Sequence, residues 1–222
     1  MTVSNDTTQL RPSQQPRLPA APVEYDRTYI DALTGILRQY FNQLDNITQS
    51  LVASTGGRFV RNICGSFYDT TTQSATANTA TLMTINSTDT PNTNGVSIVS
   101  GSKITTTYPG VYNLQFSIQF QNTDNAIQDM SIWLRQNGTD LVGSTGFVSI
   151  PARKSASAGE EAHEIIGWNY FVTMAAGDYI QLYWSTTNAA VTIKAYAAGT
   201  SPTRPSTSSV VATMTFVSAP LT

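Results

Sequence analysis

The stretch Tyr108-Pro109-Gly110-Val111-Tyr112-Asn113-Leu114-Gln115-Phe116-Ser117-Ile118-Gln119-Phe120-Gln121 decides the fold class. Tyr112, Leu114, Phe116, Ile118 and Phe120 alternate with Asn113, Gln115, Ser117, Gln119 and Gln121. Successive side chains of an extended chain point to opposite faces, so this pattern predicts a long strand buried on one face only. Just before it, Pro109 fixes φ and Gly110 tolerates φ > 0, which predicts a turn into the strand.

Downstream, Met130, Ile132 and Leu134 alternate up to Gln136-Asn137-Gly138-Thr139, and Asn-Gly between alternating segments predicts a hairpin with Leu141 opening the return strand. Ile166, Trp168, Tyr170, Val172 and Met174 form another run. Ala175-Ala176-Gly177-Asp178 then turns the chain into Ile180, Leu182 and Trp184. Val191, Ile193 and Ala195 follow, and Val210, Ala212, Met214 and Phe216 close the series. Shorter strands are expected near 62–68, 79–85, 95–100 and 102–107. About ten strands with no helical connection predict a mainly β, antiparallel sandwich or barrel.

Upstream the pattern changes twice. Pro12, Pro16, Pro19 and Pro22 among polar residues predict an extended, polyproline-like arm over 1–24, a strap ordered by a partner. Arg11 and Arg17 are its basic residues, expected to meet acidic surfaces. Asp26 offers an N-cap for a helix over roughly 27–52, ended by Gly56-Gly57. Ile30, Leu33, Leu37, Tyr40, Leu44, Ile47 and Leu51 recur in steps of three and four, the seam of a short coiled coil of three or more strands, widened by Ile36 and Phe41. Packing of this stripe on the chain's own β region is the alternative. The expected organisation is therefore arm 1–24, helix region 25–57 and β head 58–222.

Charged residues make up 12% of the chain, about half of the roughly 25% usual in soluble domains. A net charge of -2 and scattered basic residues argue against nucleic-acid binding, which needs a basic stripe. No run approaches the roughly 18 apolar residues of a membrane span, and the opening MTVSNDTTQL does not resemble a signal peptide. The expectation is a soluble protein made in a cytoplasm, with no membrane partner. Cys64, the one cysteine, is expected as a small core residue. The sequons at Asn46, Asn86 and Asn137 read as chance in a Thr-rich chain.

Catalytic candidates are thin. His163, the one histidine, lies in Gly159-Glu160-Glu161-Ala162-His163-Glu164, without the spacing that places two imidazoles on one helical face. It reads as part of a solvated loop entering a strand. A Cys64–His163 thiolate pair requires the fold to join distant residues. Asp124 and Asp129 suit turn caps better than calcium ligation. Neither Gly56-Gly57 nor Gly143-Ser144-Thr145-Gly146 has phosphate-loop spacing. No enzyme activity, metal or cofactor is expected. The aromatics point instead to assembly: Ile180, Leu182 and Trp184 on one face and Tyr179 and Tyr183 on the other predict a strand covered on both sides. Tyr179 or Tyr183 is expected to join Trp168 or Tyr170 in a subunit contact.

Over residues 60–218 the order of these motifs resembles the tumour necrosis factor and complement globular-head jelly rolls. Tyr108–Tyr112 is similar to that family's turn into its longest inner strand, Ile132–Gly138 to its next hairpin, Ala176–Leu182 to its glycine-aspartate turn, and Ser208–Phe216 to the last strand returning beside the first. The resemblance implies a jelly roll and a homotrimer. The chain lacks the signal peptide, collagen-like stalk and disulfide of vertebrate members, and its arm, helix and Thr/Asn/Gly-rich style look like tailed-bacteriophage virion proteins. The expected role is a virion-located trimer anchored to capsid or tail proteins by the arm and helix, as a decoration or cement protein or a fibre. The alternatives are a receptor- or glycan-binding tip contacting a host surface ligand through loops 121–128, 151–163 and 198–208, or a secreted trimeric ligand of the same fold.

Overall fold

The computed structural model describes residues 16–52 (side chains to 48), 62–155, 157 and 160–219. The chain divides into two compact units, 1–62 and 63–222.

In the first unit, residues 16–26 carry no helix or strand and Arg17 is exposed; Arg11 lies outside the described residues. Helix α1 spans Arg27–Val52, the range expected from its apolar spacing. Asp26 caps it, its Oδ1 accepting the Thr28 N–H at 2.8 Å and its carbonyl accepting from Ile30 N at 3.2 Å. Leu33, Ile36, Leu37, Tyr40, Leu44 and Ile47 are partly covered, while Ile30 and Phe41 are exposed. The Leu51 side chain and the Gly56-Gly57 stop lie outside the described residues.

The second unit is an antiparallel sandwich of ten main strands: β1 (Cys64–Asp69), β2 (Val96–Val99), β3 (Lys103–Thr106), β4 (Gly110–Asn122), β5 (Gln128–Gln136), β6 (Gly146–Ile150), β7 (Ala162–Met174), β8 (Tyr179–Thr186), β9 (Val191–Ile193) and β10 (Val210–Ser218). In the first sheet β4 is central. β7 pairs along its whole length on one edge, from Ala162↔Asn122 to Met174↔Gly110, while β10 and then β9 share the other edge. β1 lies outside β10, so the first and last strands are neighbours, as in a jelly roll. The second sheet runs β6-β5-β8-β3-β2.

The alternation in 110–122 does what its pattern predicts. Tyr112, Leu114, Ile118 and Phe120 are fully buried and Phe116 nearly so, meeting Ile132 and Leu134 of β5 and Ile180, Leu182 and Trp184 of β8 in one core. Burying such side chains contributes about 1.5–3 kcal/mol each before chain entropy is charged against it. Tyr112 keeps its hydroxyl satisfied on the Tyr108 carbonyl at 2.7 Å, which ties the entry turn to the strand it begins.

Three local expectations need correction. Asn137 (φ 49°) and Gly138 (φ 85°) do turn the β5 hairpin, but only Thr139–Asp140 pair directly after it; Gly143 at φ 80° breaks the chain's course, and the return strand β6 starts at Gly146, not Leu141. Of 79–85 only Thr81–Leu82 are strand, although Met83 and Ile85 are buried as their spacing suggests. Cys64 opens β1 partly covered, its Sγ 3.6 Å from the Asn92 carbonyl, and is not a core residue.

Candidate functional site

Because Phe116 and its alternate partners point inward, Asn113, Gln115, Ser117 and Gln119 of β4 must point out. Cross-strand pairing then fixes what surrounds them. On β7 the partners are Phe171, Asn169, Gly167 and Ile165, and on β10 Thr215, Thr213, Val211 and, opposite Gln119, the chain just before the strand, where Gln119 N reaches the Ser209 carbonyl. Ser66 and Tyr68 of β1 extend the face beside Thr213 and Val211. None of these residues is charged. Ile165 and Phe171 are 66% and 63% exposed and Val211 is 39% exposed. A solvated sheet face is normally polar throughout, whereas the centre of a protein–protein contact is depleted of charge and richer in apolar groups. Along this face runs a groove of about 430 Å³ beside Ser117, Gln119, Ile165 and Val211, rimmed by Arg204 to Ser208, and a shallower one of about 240 Å³ over Gln115, Ser117, Val211 and Thr213.

The outer face of the second sheet has different chemistry. Tyr183 of β8 pairs with Trp133 of β5 on one side and Leu82 on the other. The two rings stack, with centroids 5.8 Å apart and planes 28° apart. The Arg135 guanidinium carbon lies 4.0 Å from the Tyr183 ring centroid, and Asp140 receives Arg135 Nε at 2.7 Å and the Trp133 indole N–H at 3.0 Å on Oδ1, with Arg135 Nη2 at 3.3 Å on Oδ2. The hydrogen bond from Arg135 holds the Asp140 carboxyl below its ordinary range and raises the guanidinium in turn. Tyr179, further along β8, lies under Lys103 Nζ at 4.4 Å from the ring centroid.

The structure therefore separates the aromatics expected together. Trp168 and Tyr170 pair with Phe116 and Leu114, so they share the inward face of the first sheet. Trp168 meets Phe116 edge-on at 5.9 Å, and the Tyr170 hydroxyl donates to the Ser144 carbonyl at 2.9 Å. Tyr179 and Tyr183 face outward on the other sheet, and no single surface contains both pairs. Alternation along β7 sends 166, 168 and 170 inward and leaves Ile165 and Phe171 as its outward apolar residues. Trp133, Arg135 and Asp140 escaped sequence reading because they lie on the polar side of β5 and in its turn; only the pairing register brings them to Tyr183.

The candidate chemical groups are also apart. His163 sits on β7 and shares a hydrogen bond between Nδ1 and the Tyr196 hydroxyl at 2.9 Å, far along the sheet from the Cys64 environment at Asn92. Burial raises the Tyr196 phenol, Glu161 adds to this and Arg204 opposes it. Asp124 is an organiser of its loop: Oδ2 accepts from Asn188 Nδ2 at 2.9 Å and from Gln128 Nε2, and Oδ1 from Asn125 N. Asp129 Oδ1 accepts from Ser149. Among the described residues no group of three His, Cys, Asp or Glu is placed to hold a metal ion.

No protein-family model matches the chain, and no curated protein matches it. Among solved structures it is similar to the globular domain of a zebrafish complement 1qA protein, at 13% identity and a TM-score of 0.40, over 72% of this chain and all of that one.

Proposed function

We propose that the chain is a homotrimeric structural protein of a tailed-phage virion, fixed to capsid or tail proteins by its N-terminal arm and helix and projecting the β sandwich, with no catalytic role. The observation that carries this reading is the uncharged outward face of the first sheet, where Ile165 and Val211 stand exposed along a groove and Phe171 is exposed further along the same strand as Ile165. A second copy of the chain is the occupant that this face suits, since uncharged side chains cost less to desolvate than ions and its amides and hydroxyls, each both donor and acceptor, can pair with those of an identical chain. The apolar stripe of α1 supports the same conclusion from the other unit: Leu33, Leu37, Leu44 and Ile47 lie on one side at coiled-coil spacing. Three arms displayed together raise attachment strength without any single strong contact, the economy expected of a protein repeated on a lattice.

The test is made on particles. In virions purified by density banding, the chain should remain with the particles and be present in multiples of three per attachment position. Recovery only in the soluble fraction of lysed cells would overturn the virion assignment.

A further inference from the structure

We infer that the outer face of the second sheet, centred on Trp133, Tyr183, Arg135 and Asp140, is a binding site for an uncharged saccharide. One side of a pyranose ring carries C–H groups with partial positive charge, which are drawn to the negative face of an aromatic ring, while its rim of hydroxyls needs both donors and acceptors. This patch supplies each part. Trp133, half-buried and backed by the stacked Tyr183 ring on which Arg135 lies, and Phe147, paired with Ser131 two residues from Trp133 and 80% exposed on the same face, supply the aromatic surface. Asp140 has a side chain 56% exposed, and its three protein hydrogen bonds leave acceptor capacity on a carboxylate that offers about four lone-pair sites. Arg135, whose Nε and Nη2 go to Asp140, brings further guanidinium N–H groups to the same cluster. Ser131 and Ser185, hydrogen bonded to each other at 2.7 Å, add hydroxyls at the next row.

Charge selects the ligand class. Arg135 and Asp140 neutralise one another in a two-point pair, so the cluster presents hydrogen-bonding groups without net charge, which suits hydroxyls and gives little attraction to a phosphate or carboxylate. The groups are also fixed before any ligand arrives: the indole N–H and the guanidinium both end on Asp140, and the guanidinium lies on Tyr183. Held side chains lose little freedom on binding. A purely structural role, sealing a sheet with stacked rings, explains Tyr183 and Arg135 but not the exposed Phe147 or the outward carboxylate. The site is on the sheet opposite to the proposed assembly face, so the two readings stand or fall separately.

The experiment uses the full chain on a printed array of neutral, sialylated and sulfated glycans, followed by titration of the retained neutral oligosaccharides with tryptophan fluorescence. Trp133 is the responsive fluorophore, because Trp184 is fully buried and Trp168 faces the core. Retention of neutral glycans, with Asp140→Asn and Trp133→Phe each weakening binding at least tenfold at unchanged circular dichroism and unchanged oligomeric mass, is the expected result. Retention of acidic glycans alone, retention of none, or affinities unchanged in both variants would overturn the inference. Loss of oligomeric mass in either variant would also overturn it, by making this face a contact between copies.

Discussion

Replacing Asp69 with alanine perturbs the point where the two ends of the head are tied together. Asp69 is the last residue of β1 and is fully buried with no basic partner among its hydrogen bonds. Its Oδ1 accepts the Thr71 N–H at 2.7 Å and the Thr71 hydroxyl, its Oδ2 accepts the Thr84 hydroxyl at 3.1 Å, and Ser209, one residue before β10, lies 3.5 Å from Oδ1. A hydrogen bond to a charged group contributes about 1.5–3 kcal/mol, so three of them set an upper bound well above the expected loss. Two terms reduce it. Thr71 and Thr84 are exposed residues whose donors turn to water, and Ser209 keeps its bond to the Asp69 carbonyl at 3.2 Å. The expected cost of Asp69→Ala is about 2–3 kcal/mol, a fall of roughly 1 M in the urea midpoint at the m-value usual for small proteins. Asp69→Asn keeps one carbonyl oxygen for Thr71 and turns an amide toward the Thr84 hydroxyl, which can accept, so it should recover more than half of that loss. Equal losses for Ala and Asn, or an alanine cost under about 0.5 kcal/mol, would refute the assignment of a hydrogen-bonding role.

Two further outcomes follow from the core and from the turns. Trp184 is fully buried and its indole N–H has no protein partner, so Trp184→Phe removes an unpaired donor worth about 1–3 kcal/mol while shrinking the ring; urea unfolding should show a net change within about 1 kcal/mol, against about 3–5 for Trp184→Ala. The Asp178 carboxyl is held below its ordinary range chiefly by the Ala175 N–H, helped by Asn137 and Gln136. A depressed folded-state value means that its stabilisation is complete above the unfolded carboxylate range and is lost as pH falls through the depressed value. Asp178→Asn should therefore flatten the acid limb of a thermal-stability profile and leave its neutral-to-basic part parallel to the wild type.

Much of the fold was legible because its elements are long and strongly patterned. Burial alternates without a break over the first eleven residues of β4, Gly110–Phe120, and α1 begins and ends where the Asp26 cap and the apolar spacing place it. The failures have a common physical cause. Alternation reveals two faces of a strand, but which face a neighbouring sheet covers depends on pairing partners distant in sequence. β7 shows this: Trp168 and Tyr170 are bulky enough to suit an interface, yet their opposite numbers are Phe116 and Leu114 of the core, and the outward residues are the less conspicuous Ile165, Gly167 and Phe171. Likewise Asp140 reads as a turn residue until the register sets it beside Trp133 and Arg135. The break between Asn137-Gly138 and β6 was hidden because Leu141 and Val142 look like strand residues, whereas the positive φ of Gly143 redirects the chain.

The proposed function turns on self-association into trimers through the uncharged face of the first sheet. Light scattering coupled to size separation measures it directly, on the wild type and on Val211→Asp, which places a charge in the middle of that face at a side chain already 39% exposed. The expected result is a wild-type mass about three times the 24.0 kDa of one chain at micromolar concentration, and a shift toward single chains for Val211→Asp with unchanged circular dichroism. A wild-type mass of one chain across that range, or a Val211→Asp variant as fully trimeric as the wild type, would contradict it.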